Sequence, residues 1–256
     1  MSYFLGDSRL RHRVVFEREA FMLCVYCGSK AETREHAPSK VFMQSPLPTN
    51  LPTVPACFRC NQSYSNDELY VQVLLELMKK HFFSEYSYNK KMPKRLKRRA
   101  GKEAENAFKS YITDKNLLFN DIRIQQVLHK LAICHALYEL SEVYDGTTWD
   151  NDLNSIKYNF APFMSKDELD EMNDIEFLST YPEIGSIGRE RLLVMEVLLT
   201  PLEDGEQKKV LLPISTWNDV QEGNYRYMAF VDESKLTVKI VISEFLYSEI
   251  HFNEFL

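Results

Sequence analysis

Four of the five cysteines fall in two C-x-x-C pairs, Cys24/Cys27 and Cys57/Cys60. Thiolates grouped this way suit a tetrahedral structural zinc: each pair closes one edge of the tetrahedron, and no position stays open for chemistry. The span between the pairs exceeds what a minimal zinc ribbon needs, so it has room for a hairpin and a loop. That span carries adjacent Glu35 and His36 in the run TREHAPSKVF, and Asn61 follows the last cysteine directly. An imidazole titrates near neutrality and suits proton transfer, while carboxylate and amide oxygens are hard donors suited to Mg²⁺ or Mn²⁺.

The stretch from Cys24 to Glu68 resembles an HNH endonuclease of the ββα-metal class in its zinc-stapled form. In that family an acidic residue and a histidine share the first strand of a hairpin, as Glu35-His36 do. A second C-x-x-C then leads into a helix that begins with Asn or His, as in CFRCN. The resemblance implies that Glu35 binds a catalytic divalent metal, that His36 is the general base activating water, and that Asn61 is a second metal ligand. Pro38 matches the proline usually found just after the histidine. The family's middle Asn, which orients the base, falls on Asn50, further from Cys57 than is usual. Tyr64 stands where many members carry Lys or His, and Asp67 and Glu68 are candidates for a supplementary ligand. The implied activity is hydrolysis of DNA phosphodiester bonds with Mg²⁺ or Mn²⁺, the zinc at the cysteines being a staple only. Successive strand residues face opposite ways, so bringing Glu35 and His36 together calls for a bulge or twist near Pro38.

The 256 residues carry a net charge of −6, so binding to nucleic acid requires a local basic patch rather than a basic coat. NKKMPKRLKRRAGKE supplies one: Lys90, Lys91, Lys94, Arg95, Lys97, Arg98, Arg99 and Lys102. Nothing apolar in it is expected to enter a core, so the whole strip is read as solvated and free to meet phosphates. Arg9, Arg11, Arg13 and Arg18 give residues 1–20 the character of a basic arm or strand. No apolar run is long enough to span a bilayer, and the N-terminus is too charged for a secretory signal. Cysteines paired for metal suit a reducing cytoplasm.

These residues need elements to hold them. From Asp67, Leu69, Val73, Leu74, Leu77 and Met78 recur at helical spacing, and a shorter amphipathic helix is expected over Lys102–Thr113. Ile122–Tyr144 is the strongest helical pattern; Gly146 is its expected stop, and Cys134, His129 and His135 are read as structural. Ser165 and Glu168 have capping-box spacing. After Gly185 the texture turns to strands separated by turns, with Leu236, Val238, Ile240 and Ile242 alternating as in a half-buried strand. SEFLYSEIHF closes the chain as a short helix or final strand.

The expected class is therefore α+β. A zinc-stapled ββα module over 21–80 precedes a helical region over 81–180, with the basic strip at 90–102, and an antiparallel β region over 185–256. Three functions fit: a metal-dependent DNA endonuclease, such as an effector in bacterial antiviral defence; a non-cleaving zinc scaffold that binds nucleic acid; and a nuclease subunit active only with a protein partner. Oligomeric state is not legible.

Overall fold

The structure, a computed structural model, describes residues 23–49, 51–114, 119–140, 155–178, 193–199, 208–232 and 235–252. The basic arm expected over 1–20 and the helix stop expected at Gly146 lie outside these residues. Strand β1 (Thr33–His36) pairs antiparallel with β2 (Thr53–Ala56), and the chain then enters helix α1 (Phe58–Ser63). Tyr64 separates α1 from α2 (Ser65–Phe82), so the helix bearing Asn61 ends before the long apolar pattern begins. Leu69, Val71, Val73, Leu74, Leu75 and Met78 of α2 are all buried. Each such side chain contributes about 1.5–3 kcal/mol of hydrophobic stabilisation.

Two helices follow, α3 (Met92–Leu96) and α4 (Arg99–Thr113), and α4 packs along α2. They meet closely. A Cβ on Gly101 would lie 2.1 Å from the Arg95 carbonyl oxygen, so only glycine allows α4 to start this near the end of α3. Here the strip departs from expectation. Met92, Arg95, Ala100 and Gly101 are buried, and a run expected to be solvated throughout is in fact folded around an apolar inner side.

Helix α5 (Ile122–Leu140) crosses the interior, with Ile124, Val127, Leu128, Leu131 and Ala132 fully covered. One side of it meets α2; another meets a five-stranded sheet. That sheet draws its edge strand, β3 (Ile156–Phe160), from the segment expected to be helical. After the capped helix α6 (Lys166–Asn173) and the short β4 (Glu176–Phe177) come β5 (Leu193–Leu199), β6 (Lys208–Ser215), β7 (Asn218–Gln221), β8 (Tyr225–Asp232), β9 (Lys235–Ile242) and β10 (Leu246–Phe252). The large sheet runs β3-β10-β9-β8-β7 and a smaller one β4-β6-β5, all pairs antiparallel. SEFLYSEIHF thus supplies a strand, one of the two forms expected. Ser165 and Glu168 make both bonds of the capping box.

Strand β9 corrects the half-buried reading. Leu236, Val238, Ile240 and Ile242 join the core, yet Thr237, Lys239 and Val241 are buried as well. The second face is covered too: the Lys239 ammonium pairs with Glu176 of β4 across the sheet. A central strand between two layers loses its polar side.

His135 on α5 stacks on Tyr227 with 3.6 Å between ring centres, and its Nε2 meets the Tyr225 hydroxyl at 2.8 Å. Burial pushes this imidazole down to about 3 from an ordinary 6.5. Between those values the unfolded chain binds a proton that the folded chain refuses, so stability present above pH 6.5 is lost as the pH falls. His135→Gln removes the proton site while keeping a hydrogen-bonding group. It should flatten the acid-side loss in urea unfolding by about 1.4 kcal/mol per pH unit between roughly pH 6 and pH 4. Identical slopes for the two proteins would place the proton uptake elsewhere.

Candidate functional site

The two C-x-x-C pairs come together because each sits in its own tight turn, docked on the hairpin. In the first turn Cys24 N–H donates to the Ser29 carbonyl at 2.6 Å and Gly28 N–H to the Cys24 carbonyl at 2.9 Å. Gly28 has φ +66°, a left-handed conformation that a Cβ would disfavour. Val25 N–H reaches the Pro55 carbonyl at 3.0 Å, tying this turn to β2. In the second turn Cys57 caps α1, its sulfur accepting from Cys60 N–H at 3.4 Å. All four Sγ atoms lie within 4.8 Å of one another, and Cys27 and Cys57 sulfurs are 3.9 Å apart. Zinc–thiolate bonds of about 2.3 Å in a tetrahedron give sulfur–sulfur edges of about 3.8 Å. The group is thus able to hold a metal ion such as zinc. Thiols this close cannot all ionise on their own: burial and the neighbouring cysteines push Cys60 up, while against its own burial Cys27 is brought down to about 6 by hydrogen bonds from Ser29. Among the described residues, no other group of three or more His, Cys, Asp or Glu has this proximity.

Glu35 and His36 sit at the end of β1 in an unbroken register, Glu35 opposite Val54 and His36 opposite Thr53. The bulge or twist expected near Pro38 does not interrupt the pairing through His36; the backbone becomes irregular only beyond it, at the cis Ala37–Pro38 bond. Glu35 therefore turns inward and is buried, whereas His36 leaves the other face half-buried. Burial, then the nearby Lys40, holds the His36 imidazole below its ordinary pKa. Its Nδ1 is buried without a hydrogen-bond partner, and so is Glu35 Oε2. Asn61, on α1, donates from Nδ2 to Thr33 Oγ1 at 2.9 Å and, at 3.4 Å, to the Arg34 carbonyl. These bonds pin the amide on β1 through its nitrogen, so its oxygen is the end suited to a cation. Asn50 lies outside the described residues.

The inward face of Glu35 holds a group that no motif announced. Lys130 of α5 has no exposed surface, and its ammonium lies 3.2 Å from Glu35 Oε1 and 3.0 Å from Ser39 Oγ, and also bonds Glu68 Oε1. The Ser39 hydroxyl is 2.5 Å from the same Glu68 oxygen. Burial pushes the Glu35 carboxyl up against the pull of Lys130, and Glu68 adds to the push. Burial also works against the charge on Lys130, yet Glu68 and Glu35 hold it above its ordinary value. A lysine among the apolar positions Val127, Leu128, Leu131, Ala132 and Cys134 was the available signal. Asp67, the other candidate supplementary ligand, is taken by Arg123 at 2.6 Å.

The basic strip divides. Lys90, Lys91, Lys94, Lys97, Arg98, Arg99 and Lys102 are exposed, with Arg99 bonded to Glu103 at 2.8 Å. Arg95 is not available to a ligand in the same way. It is buried and donates from Nη2 to the Val41 carbonyl at 3.1 Å, so it fastens α3 to the loop after β1.

A four-cysteine group of this geometry is expected to make folding depend on metal. Purified protein should contain about one zinc per chain, by the four-ligand argument. Cys57→Ser removes a metal ligand while keeping an acceptor able to cap α1, so the loss of metal alone should yield an insoluble or unfolded module. A folded, metal-free wild-type protein, shown by elemental analysis alongside circular dichroism, would be incompatible with this expectation.

No helix among the described residues is long and apolar enough to cross a membrane. No protein-family model, curated protein or solved structure matches this chain.

Proposed function

We propose that the chain is a metal-dependent endonuclease that hydrolyses DNA phosphodiester bonds on an HNH-like, zinc-stapled ββα module. One observation carries the reading: a hairpin and helix pinned at a four-cysteine cluster bear Glu35, His36 and Asn61, with Glu35 Oε2 and His36 Nδ1 both buried and unpartnered. Orphaned polar atoms of these types are what a cation and a proton-accepting site leave when unfilled.

His36 accepts the proton of the attacking water, and its depressed pKa keeps the ring neutral at physiological pH. Glu35 Oε2 and the Asn61 amide oxygen are the hard donors that would hold Mg²⁺ or Mn²⁺. When bound, such a cation supplies charge stabilisation at the phosphoryl and leaving 3′ oxygens. With Glu35 and His36 on opposite faces of β1, one phosphate reaches both only if the strand twists at its His36 end. The exposed part of the strip holds the phosphate backbone, adding affinity without reading sequence. Zinc at the cysteines keeps the module folded and does no chemistry.

A second reading has its own support. Glu35 Oε1 is engaged by Lys130, leaving one oxygen for a metal, which also fits a zinc scaffold that binds nucleic acid without cutting it.

His36→Ala separates the two. In a plasmid nicking assay with Mn²⁺ it should lose about 10²–10⁴-fold in rate, the usual contribution of a positioned base, with folding and DNA binding unchanged. Glu35→Ala and Asn61→Ala should regain activity at raised Mn²⁺, and a large loss in Asn50→Ala would mark it as the residue orienting His36. Undiminished cutting by His36→Ala sinks the assignment.

Replacing Lys94, Lys97, Arg98, Arg99 and Lys102 by Gln, with Arg95 left in place, should weaken DNA binding alike for all sequences. The salt dependence should flatten by about 0.9 in log–log slope for each phosphate no longer neutralised. Affinity and slope at wild-type values would exclude the strip as the phosphate-binding surface.

A further inference from the structure

Three oxygens from three places in the chain converge on the Lys130 ammonium: Glu35 Oε1 from β1, Ser39 Oγ from the following loop and Glu68 Oε1 from the first turn of α2. Two carboxylates and a hydroxyl around one point are a hard donor set of the kind that holds a divalent ion. Two negative charges face one positive, and the Tyr64 ring lies 5.6 Å from the ammonium, closing another side. Beside this group Glu35 Oε2 is buried without a hydrogen-bond partner. The wild-type chain thus contains a cation position that is already filled by its own lysine, and one spare oxygen beside it.

The geometry points to a specific role: the Lys130 ammonium occupies the inner cation position of Glu35, Glu68 and Ser39, and so confines a divalent metal to Glu35 Oε2. Lys130 is then a positioning residue for the proposed nuclease, and the inference rests on that reading for its metal. Removing the ammonium leaves two carboxylates facing one small volume, a better divalent site than a single oxygen. The ion then settles in the inner position, where both of its carboxylates are committed to the protein interior. A lysine that served only as packing and counter-charge would behave differently, because its loss would weaken folding, metal binding and cleavage together.

The zinc-loaded full chain is compared as wild type, Lys130→Met, Glu68→Gln and Lys130→Met/Glu68→Gln. Mn²⁺ binding without DNA is read from the electron paramagnetic resonance of the free ion, cleavage from plasmid nicking, and folding from thermal melting. Lys130→Met should bind Mn²⁺ more tightly, by roughly tenfold for a like charge removed beside the site. It should nevertheless cut on the order of 100-fold more slowly, the scale for a displaced reacting group. Glu68→Gln on that background dismantles the inner site, so Mn²⁺ affinity should return toward wild type and at least about tenfold of the lost rate should recover. Wild-type cleavage by Lys130→Met, weaker Mn²⁺ binding by the folded variant, or no recovery in the double variant overturns the inference. If Lys130→Met alone does not fold, the double variant, which removes one charge of each sign and leaves one carboxylate in place of two, is compared with Glu68→Gln; a rate more than about tenfold below that of Glu68→Gln overturns it. Failure of the parent reading looks different. A wild type that does not cut, with Mn²⁺ affinity rising in Lys130→Met, removes the nuclease and leaves the inner cation position standing.

Discussion

An ammonium with no route to water must find its counter-charges inside the protein, and Lys130 finds them on two elements far apart in sequence. Much of the architecture follows from that demand. Helix α5 has to run past the hairpin so that β1 can present Glu35 inward, and α2 has to begin where Glu68 meets the same point. Neither carboxylate would be tolerable there alone, since an unpaired buried charge is among the most destabilising features a core can hold. The ion cluster therefore specifies a docking geometry between the small module and the large helical interior more sharply than apolar contact does. Hydrophobic surfaces slide; a shared ammonium at hydrogen-bond distance does not.

The four-cysteine cluster and the ion cluster sit on the same short hairpin and act at different ranges. The cysteines set local conformation: two turns, the cap of α1 and the closure of the hairpin. The ion cluster sets where that finished unit lies against α2 and α5. Arg95 adds a third tie through the Val41 carbonyl. The start of the loop after β1 is thus held at Ser39 and at Val41, close behind Glu35 and His36.

What sequence makes legible tracks how local each determinant is. The cysteine spacing, the capping box at Ser165 and the α2 and α5 stripes are encoded within one turn or a few, and they form as expected. Helical patterns dominate the region over 81–180, and β3 escapes notice there because Ile156–Phe160 becomes a strand only by pairing with β10, nearly ninety residues later. Strand β9 alternates as a half-buried strand does, but whether its second face is covered depends on Glu176 of another sheet. Glu35 shows the same limit within the candidate site. Its identity as a hard donor is readable from the motif; that one oxygen is committed to Lys130 depends on a helix about ninety residues on. Lys130 itself carries a faint mark, a charge among buried positions, without any indication of its partners.

Gly101 has an effect well beyond its own contact. Because α4 begins against the last turn of α3, Lys94, Arg99 and Lys102 stand on two helices in fixed relation, with Lys97 and Arg98 in the tight link between them. A tethered run of lysines loses backbone entropy when it settles on a polyanion, about 1–2 kcal/mol for each residue that becomes ordered. Here the backbone share of that loss is incurred when the chain folds, so only side-chain freedom is surrendered on contact. The spacing of the charges then becomes a geometric property of the protein, set when the chain folds and not when a ligand arrives.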